Sequence, residues 1–297
     1  MTIHQLLNIG TSKLKSKSTS PALDAEVLLS YVLKKSKEYL YINPKKYLVH
    51  TQVRTYLKLI NKRVQGWPVA DLTNQKEFYG LKFYVDKNVL IPRPETEGLV
   101  EHVLEHIKNM SGLKILDIGT GSGNIIISIA RRNVPKNVPT KQSIIRSPRP
   151  DKSGLAMGNK FFASDVSSKT LIVAKKNTKR HKVKITFKQG DLLNPWKNKH
   201  FDIIVANLPY LAQETDPSTK FEPQNALIAE KKGLALYEKL FRQLSSPLYP
   251  HPSTLFLEIG YKQAQQIKKL AKKFLPASET KIYKDLSDRD RYAIISL

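Results

Sequence analysis

From residue 113 onward, short apolar runs alternate with longer amphipathic stretches, and this alternation restricts the fold more than any other feature. The runs at 114–118, 161–164, 184–188, 201–206 and 254–259 read as buried strands. The stretches at 124–132, 168–178, 234–244 and 264–274 read as helices, and two last strands are expected near 281–283 and 292–296. Parallel strands must be joined by a crossover long enough to hold a helix, so this rhythm predicts a mostly parallel α/β sheet covered on both faces.

The first 75 residues lack that rhythm. Leu23, Val27, Leu28, Tyr31 and Val32 recur at helical spacing in 22–33, as do Tyr56, Leu57, Leu59 and Ile60 in 53–64. Between the two textures, residues 77–89 carry β-formers interrupted by Gly80, which suggests a hairpin. The two prolines of Leu90-Ile-Pro-Arg-Pro-Glu-Thr-Glu97 then force an extended segment ahead of a helix starting near Thr96. The expected domains are a helical one at 1–75, a hairpin and linker at 76–97, and an α/β domain at 98–297. Residues 133–159, with prolines at 135, 139, 148 and 150 and scattered Lys and Arg, read as a basic insertion in a loop that is ordinarily short.

Composition removes whole classes of chemistry. The chain has no cysteine, which excludes disulfides, thiolate metal sites and cysteine nucleophiles. No apolar run reaches the roughly 18 residues needed to span a bilayer, and the N-terminus lacks a signal-peptide pattern, so a cytoplasmic location is expected. His102 and His106 lie four apart without the glutamate of a zinc-protease motif, and no metal site is expected. Fifty Lys and Arg against 25 Asp and Glu leave a net charge of +25, which favours a polyanionic partner without specifying any reaction.

The chemistry concentrates at strand ends. Leu116-Asp-Ile-Gly-Thr-Gly-Ser-Gly123 follows an apolar strand and opens a helix, as a ligand-cradling turn does. A carboxylate at Asp117 would repel a pyrophosphate and attract the cationic methionyl end of S-adenosylmethionine, so Asp117, Gly119, Thr120, Gly121, Ser122 and Gly123 are candidate cofactor residues. Asp165 ends the second strand, where an acid can accept from ribose hydroxyls. Asp191 ends the third and can accept from an adenine amino group, with Leu192 against the ring. Each acid taken singly could equally be a helix cap.

The strand at 201–206 runs directly into Asn207-Leu-Pro-Tyr210. The Asn207 oxygen and the Leu208 carbonyl can both accept from one planar NH2 group, and Pro209 fixes the bend that presents them. Tyr210 can stack on that group's π-face. Two such acceptors turn a nitrogen lone pair toward an electrophilic methyl, so these four residues are the catalytic candidates, and Asn207 is a candidate cofactor residue as well.

At this level the chain resembles the HemK/PrmC protein-(glutamine-N5) methyltransferases. The resemblance rests on Asp24-Ala-Glu-Val-Leu-Leu, Trp67-Pro-Val-Ala-Asp-Leu-Thr73, the 77–85 stretch, Pro92-Arg-Pro-Glu-Thr-Glu97 and the glycine turn. It continues through Asn207 to Tyr210, Phe221-Glu-Pro-Gln-Asn-Ala-Leu227, Leu257-Glu-Ile-Gly260, Lys284-Asp-Leu and Asp290-Arg291. It implies a seven-stranded Rossmann-like class I methyltransferase sheet with a small N-terminal helical domain and a connecting hairpin. It also implies S-adenosylmethionine as cofactor and, as substrate, the glutamine of the Gly-Gly-Gln motif in a peptide chain release factor. The helical domain would dock that protein, and a monomer with no membrane attachment is expected. Leu208 replaces the family's usual proline, but its backbone carbonyl is the same acceptor. Asn-Leu-Pro-Tyr also occurs in rRNA adenine dimethyltransferases, which leaves an amino-methyltransferase of RNA or DNA bases as the alternative. Against that alternative stand Asp117, the N-terminal position of the helical domain, and Pro92 to Glu97.

Overall fold

The computed structural model describes residues 1–133, 158–213 and 217–297, so nearly all of the insertion expected at 133–159 lies outside the described residues. The chain divides into two units, the first made of Met1–Lys76, Val85–Lys87 and the described residues 217–222, the second of the remainder.

The first unit contains five helices: α1 (Ile3–Leu14), α2 (Pro21–Leu33), α3 (Lys37–Ile42), α4 (His50–Val64) and α5 (Val69–Thr73). Thr2 caps α1 through a reciprocal pairing with Gln5, and Pro21 opens α2 where no amide hydrogen is needed. Ile3, Leu6, Leu28, Leu29, Tyr56 and Ile60 are fully buried in the shared core. The helical periodicity marks α2 and α4; the short α3 and α5 have too few turns for a pattern to emerge. Two of the motifs quoted above are braces within this unit. Asp24 pairs with Arg63 Nε at 2.7 Å, Arg63 Nη1 donates to the Trp67 carbonyl at 3.3 Å, and the Phe221 ring stacks on Trp67 at 4.5 Å.

The hairpin, β1 (Gln75–Phe78) and β2 (Leu81–Tyr84), turns at Tyr79 and Gly80, both with positive φ as a tight two-residue turn requires. The second unit continues with α6 (Thr96–His106), β3 (Lys114–Ile118), α7 (Asn124–Arg132), β4 (Lys160–Asp165), α8 (Ser168–His181), β5 (Ile185–Gln189) and β6 (Ile203–Asn207). It ends with the short α9 (Glu230–Gly233), then α10 (Ala235–Leu244), β7 (Thr254–Glu258), α11 (Ala264–Phe274), β8 (Glu279–Lys284) and β9 (Asp290–Ser296).

The strands form one seven-stranded sheet of order β5-β4-β3-β6-β7-β9-β8, parallel from β5 to β7, with β9 antiparallel to both of its neighbours. This is the expected Rossmann-like α/β sheet. The strand expected from 201 begins at Ile203, because Phe201 packs edge-on against Phe162 and Trp196 ahead of the ladder. The helix expected over 168–178 runs on to His181 and stops at Lys182, which adopts the left-handed conformation. Alternate residues of the central strands serve opposite faces. Leu116, Ile204, Ala206, Leu255 and Leu257 join the core under α10 and α11. Ile115, Ile203, Val205 and Phe256 join the one under α6 and α7. The same period of two places Asp117, Asn207 and Glu258 on the α6 side, at the carboxyl edge of three adjacent strands.

Candidate active site

At the end of β3 the chain makes its turn through Gly119, Gly121 and Gly123, with φ of +70, +56 and +81°. A side chain at Gly119 would be strained by that φ and would meet Leu208 Cδ2 at 3.3 Å, so glycine lets the turn close on the Asn207-Leu208 bend. The Gly119 and Thr120 amides donate to the Ser164 carbonyl at 2.9 and 3.0 Å. The Gly121 amide donates to Asp165 Oδ2 at 3.1 Å. Asp165 Oδ1 accepts from the Ser167 amide at 3.0 Å, so this carboxylate ties the glycine turn to the start of α8.

Asp117 is fully buried. Its Oδ2 accepts from the Thr120 hydroxyl at 2.7 Å, while Oδ1 has no hydrogen-bond partner among the described residues. Burial pushes its pKa up to about 7, opposed by the Thr120 bond and reinforced by the negative charge of Asp165. A buried carboxylate oxygen without a partner among the described residues, with the Asp165 carboxylate beside it on the glycine turn, suits a cationic ligand group. The residues present therefore fit S-adenosylmethionine.

Asp191 lies beyond β5, and the Gly190 amide just before it donates to the Asp165 carbonyl at 3.0 Å, which brings the two acids' loops together. Its carboxylate is paired with Lys239 of α10. Leu192 is buried, with a positive φ. Ser122 Oγ donates to Asn124 Oδ1 at 3.1 Å, at the head of α7.

On the other side of the turn, Asn207 Nδ2 donates to Thr96 Oγ1 at 3.1 Å, and Oδ1 makes no hydrogen bond among the described residues. Leu208 is buried against the core, and the Tyr237 hydroxyl near its carbonyl is committed to the Glu258 carbonyl at 2.6 Å. Tyr210 OH sits 3.3 Å from both Glu258 Oε1 and Arg291 Nη1. Arg291 Nε pairs with Asp285 Oδ2 at 3.1 Å. The Tyr210 carbonyl accepts from Gln263 Nε2 at 3.0 Å, and the same Gln263 nitrogen donates to the Lys232 carbonyl at 3.1 Å.

The fold thus brings Asp117, the glycine turn, Asp165 and the Asn207–Tyr210 bend to one sheet edge, with Asp191 on the adjoining loop. Reasoning from motifs did not assign roles to Thr96, Glu258, Gln263, Asp285 and Arg291, although all but Gln263 lie in segments that carry the family resemblance. One signal was available: Glu258 closes the otherwise apolar β7, where a charge has no packing reason to be. Asn177 gave none. It is fully buried, accepts from the Tyr84 amide, and donates to the Tyr84 and Ser122 carbonyls, joining the hairpin to the glycine turn.

A glycine turn closed against an amide-bearing bend at a parallel sheet edge defines a class I methyltransferase. A model described as a methyltransferase domain matches residues 109–274, and one described as the PrmC N-terminal domain matches residues 5–73. The release factor glutamine methyltransferase of Bacillus cereus is 32% identical over 276 residues, covering 90% of this chain and 89% of that protein. The protein of the same name from Buchnera aphidicola is 33% identical over 299 residues and 99% of each chain. A solved release factor-specific protein-(glutamine-N5) methyltransferase from Alicyclobacillus acidocaldarius is 25% identical, with a TM-score of 0.39 over 72% of this chain and 98% of that one. The chain belongs to the release factor glutamine methyltransferase family.

Proposed function

We propose that the protein transfers a methyl group from S-adenosylmethionine to the side-chain amide nitrogen of the glutamine in the Gly-Gly-Gln motif of a peptide chain release factor. The observation that carries this reading is the orientation of Asn207. With its donor committed to Thr96, Asn207 offers Oδ1 as an acceptor beside the glycine turn. Asn207 Oδ1 and the Leu208 carbonyl would each take one hydrogen of the glutamine NH2, and Tyr210 would bound the flat face of the carboxamide. S-adenosylmethionine, when bound, supplies an electrophilic methyl; Asp117, the turn from Gly119 to Gly123, Asp165, Asp191 and Leu192 would hold it.

An amide nitrogen is a poor nucleophile, so the chain's contribution is alignment and exclusion of water rather than a strong base. The two acceptors hold the NH2 hydrogens in plane and aim the nitrogen lone pair at the methyl; a proton leaves after transfer, when the nitrogen has become acidic. All of these residues come from one chain, so a monomer suffices. Among the described residues, no helix is long and apolar enough to cross a membrane. A release-factor substrate would place the enzyme in the cytoplasm, and the helical unit would dock that protein.

The test is incubation with radiolabelled methyl donor, a Gly-Gly-Gln release factor, its glutamine-to-alanine variant, and RNA. Label on the release factor alone, lost with the variant, is the expected result. Label on RNA would overturn the reading in favour of a base amino-methyltransferase.

A further inference from the structure

Glu258 is an expensive residue where it stands. It ends β7, is 1% exposed, and keeps Oε2 without a hydrogen-bond partner among the described residues, whereas an apolar side chain would continue the Leu-Phe-Leu run. Burying a carboxylate this way costs stability unless something else requires it. What surrounds it indicates the requirement. The Tyr210 hydroxyl lies 3.3 Å from Oε1, the Thr96 hydroxyl faces the carboxyl, and Arg291 and Glu95 contribute charge from β9 and from the segment ahead of α6.

We propose that Glu258 is a positioning residue for methyl transfer, whose carboxylate sets the direction of the hydrogen bonds that orient Asn207 and Tyr210. The inference rests on the function proposed above and goes beyond it. Above about pH 7, where Glu258 is ionised, its carboxylate only accepts, so every hydroxyl facing it must donate toward it. Thr96 then turns its hydrogen to Glu258 and leaves Oγ1 to accept from Asn207 Nδ2, as observed at 3.1 Å. That fixes which end of the Asn207 amide is free, and it is the accepting end that a glutamine NH2 needs. Tyr210 donates into the same carboxylate and is held from the far side by Arg291, itself anchored on Asp285. With Glu258 ionised, the chain of bonds runs one way because its terminus cannot donate. An amide at 258 has both a donor and an acceptor, so the direction of the chain would no longer be imposed.

The variants are Glu258→Gln, Thr96→Val, Thr96→Ser and the double Glu258→Gln/Thr96→Val. Glu258→Gln and Thr96→Val should each lower kcat on the release factor by about 10- to 100-fold, with S-adenosylmethionine Kd within about twofold. The double variant should be no worse than the poorer single, since both break one chain, and Thr96→Ser should stay within about threefold of the parent. In an amide NMR spectrum, the Asn207 side-chain signals should shift in Glu258→Gln and Thr96→Val but not in Thr96→Ser. The NMR readout needs no acceptor. If the parent fails to methylate the release factor, the function is wrong, and the Asn207 signals still decide this inference. Unmoved Asn207 signals, an unchanged kcat in Glu258→Gln, or losses that multiply in the double variant would overturn it.

Discussion

Asn207 has one amide and two directions in which it can point. The direction taken, donor into Thr96, leaves Oδ1 as the end that the proposed reading of a carboxamide requires. Replacing Asn207 by alanine should lower kcat by about 100- to 1,000-fold while leaving donor affinity nearly unchanged, the pattern of an interaction made chiefly in the transition state. Isothermal titration with the donor and single-turnover kinetics with the release factor check the two halves separately. Gly233 makes a second residue-scale case. Its φ is +82°, and a Cβ there would stand 1.9 Å from the Tyr210 carbonyl oxygen. Gly233→Ala should therefore displace Tyr210 and lower kcat by at least about tenfold, measured in the same assay. Asn207 and Tyr210 were legible in the sequence because a bend with these residue types has few other uses at a strand end. Thr96 and Arg291 were not, since their roles exist only once distant segments meet: Thr96 is 111 positions from Asn207, and Arg291 is 81 from Tyr210.

At the scale of elements, the apolar runs located the central strands β3, β6 and β7 most sharply, because buried parallel strands tolerate few polar residues. They could not reveal that β9 inserts antiparallel between β7 and β8, since an apolar strand reads alike in both directions. In the helical unit, Asp24 and Trp67 stood out only as parts of the family resemblance. The fold gives them a physical role: Arg63 of α4 holds Asp24 of α2 and the carbonyl of Trp67 at once. Both partners of the ion pair are mostly buried, at 17% and 11% exposure, so Arg63→Ala leaves a carboxylate without its cation. That change should destabilise the helical unit by roughly 2 kcal/mol, between the values for exposed and fully buried pairs. Denaturant unfolding followed by the fluorescence of Trp67 in a Trp196→Phe background reports it, with Asp24→Asn/Arg63→Gln expected to recover part of the loss.

The whole molecule bears two consequences of its charges. Glu258, raised to about 7 chiefly by burial against the pull of Thr96 and Arg291, and Asp117, raised to about 7 chiefly by burial, both keep their protons to a higher pH in the folded state than in the unfolded chain. Their folded pKa values exceed the unfolded ones, so the stability they contribute is present at acid pH, below about 4, and is lost as pH rises through about 7. Global unfolding free energy should fall between about pH 5 and pH 8, and Glu258→Gln should remove part of that slope, by roughly 2 kcal/mol, and be more stable than the parent at pH 8. Urea titrations at the two pH values check this. The net charge of +25 should also make docking on acidic groups salt-sensitive: a release factor bound through such groups should show a KM that rises between about 50 and 300 mM salt while kcat stays level. The central claim is that Asn207 clasps a glutamine carboxamide. It is tested most directly by a crystal structure with S-adenosylhomocysteine and a Gly-Gly-Gln peptide, in which the distance from the glutamine nitrogen to Asn207 Oδ1 is measured. A separation of about 2.9 Å, with the second amide hydrogen on the Leu208 carbonyl, is the expected result. A carboxamide seated elsewhere, with Asn207 Oδ1 bonded to the protein itself, would contradict it.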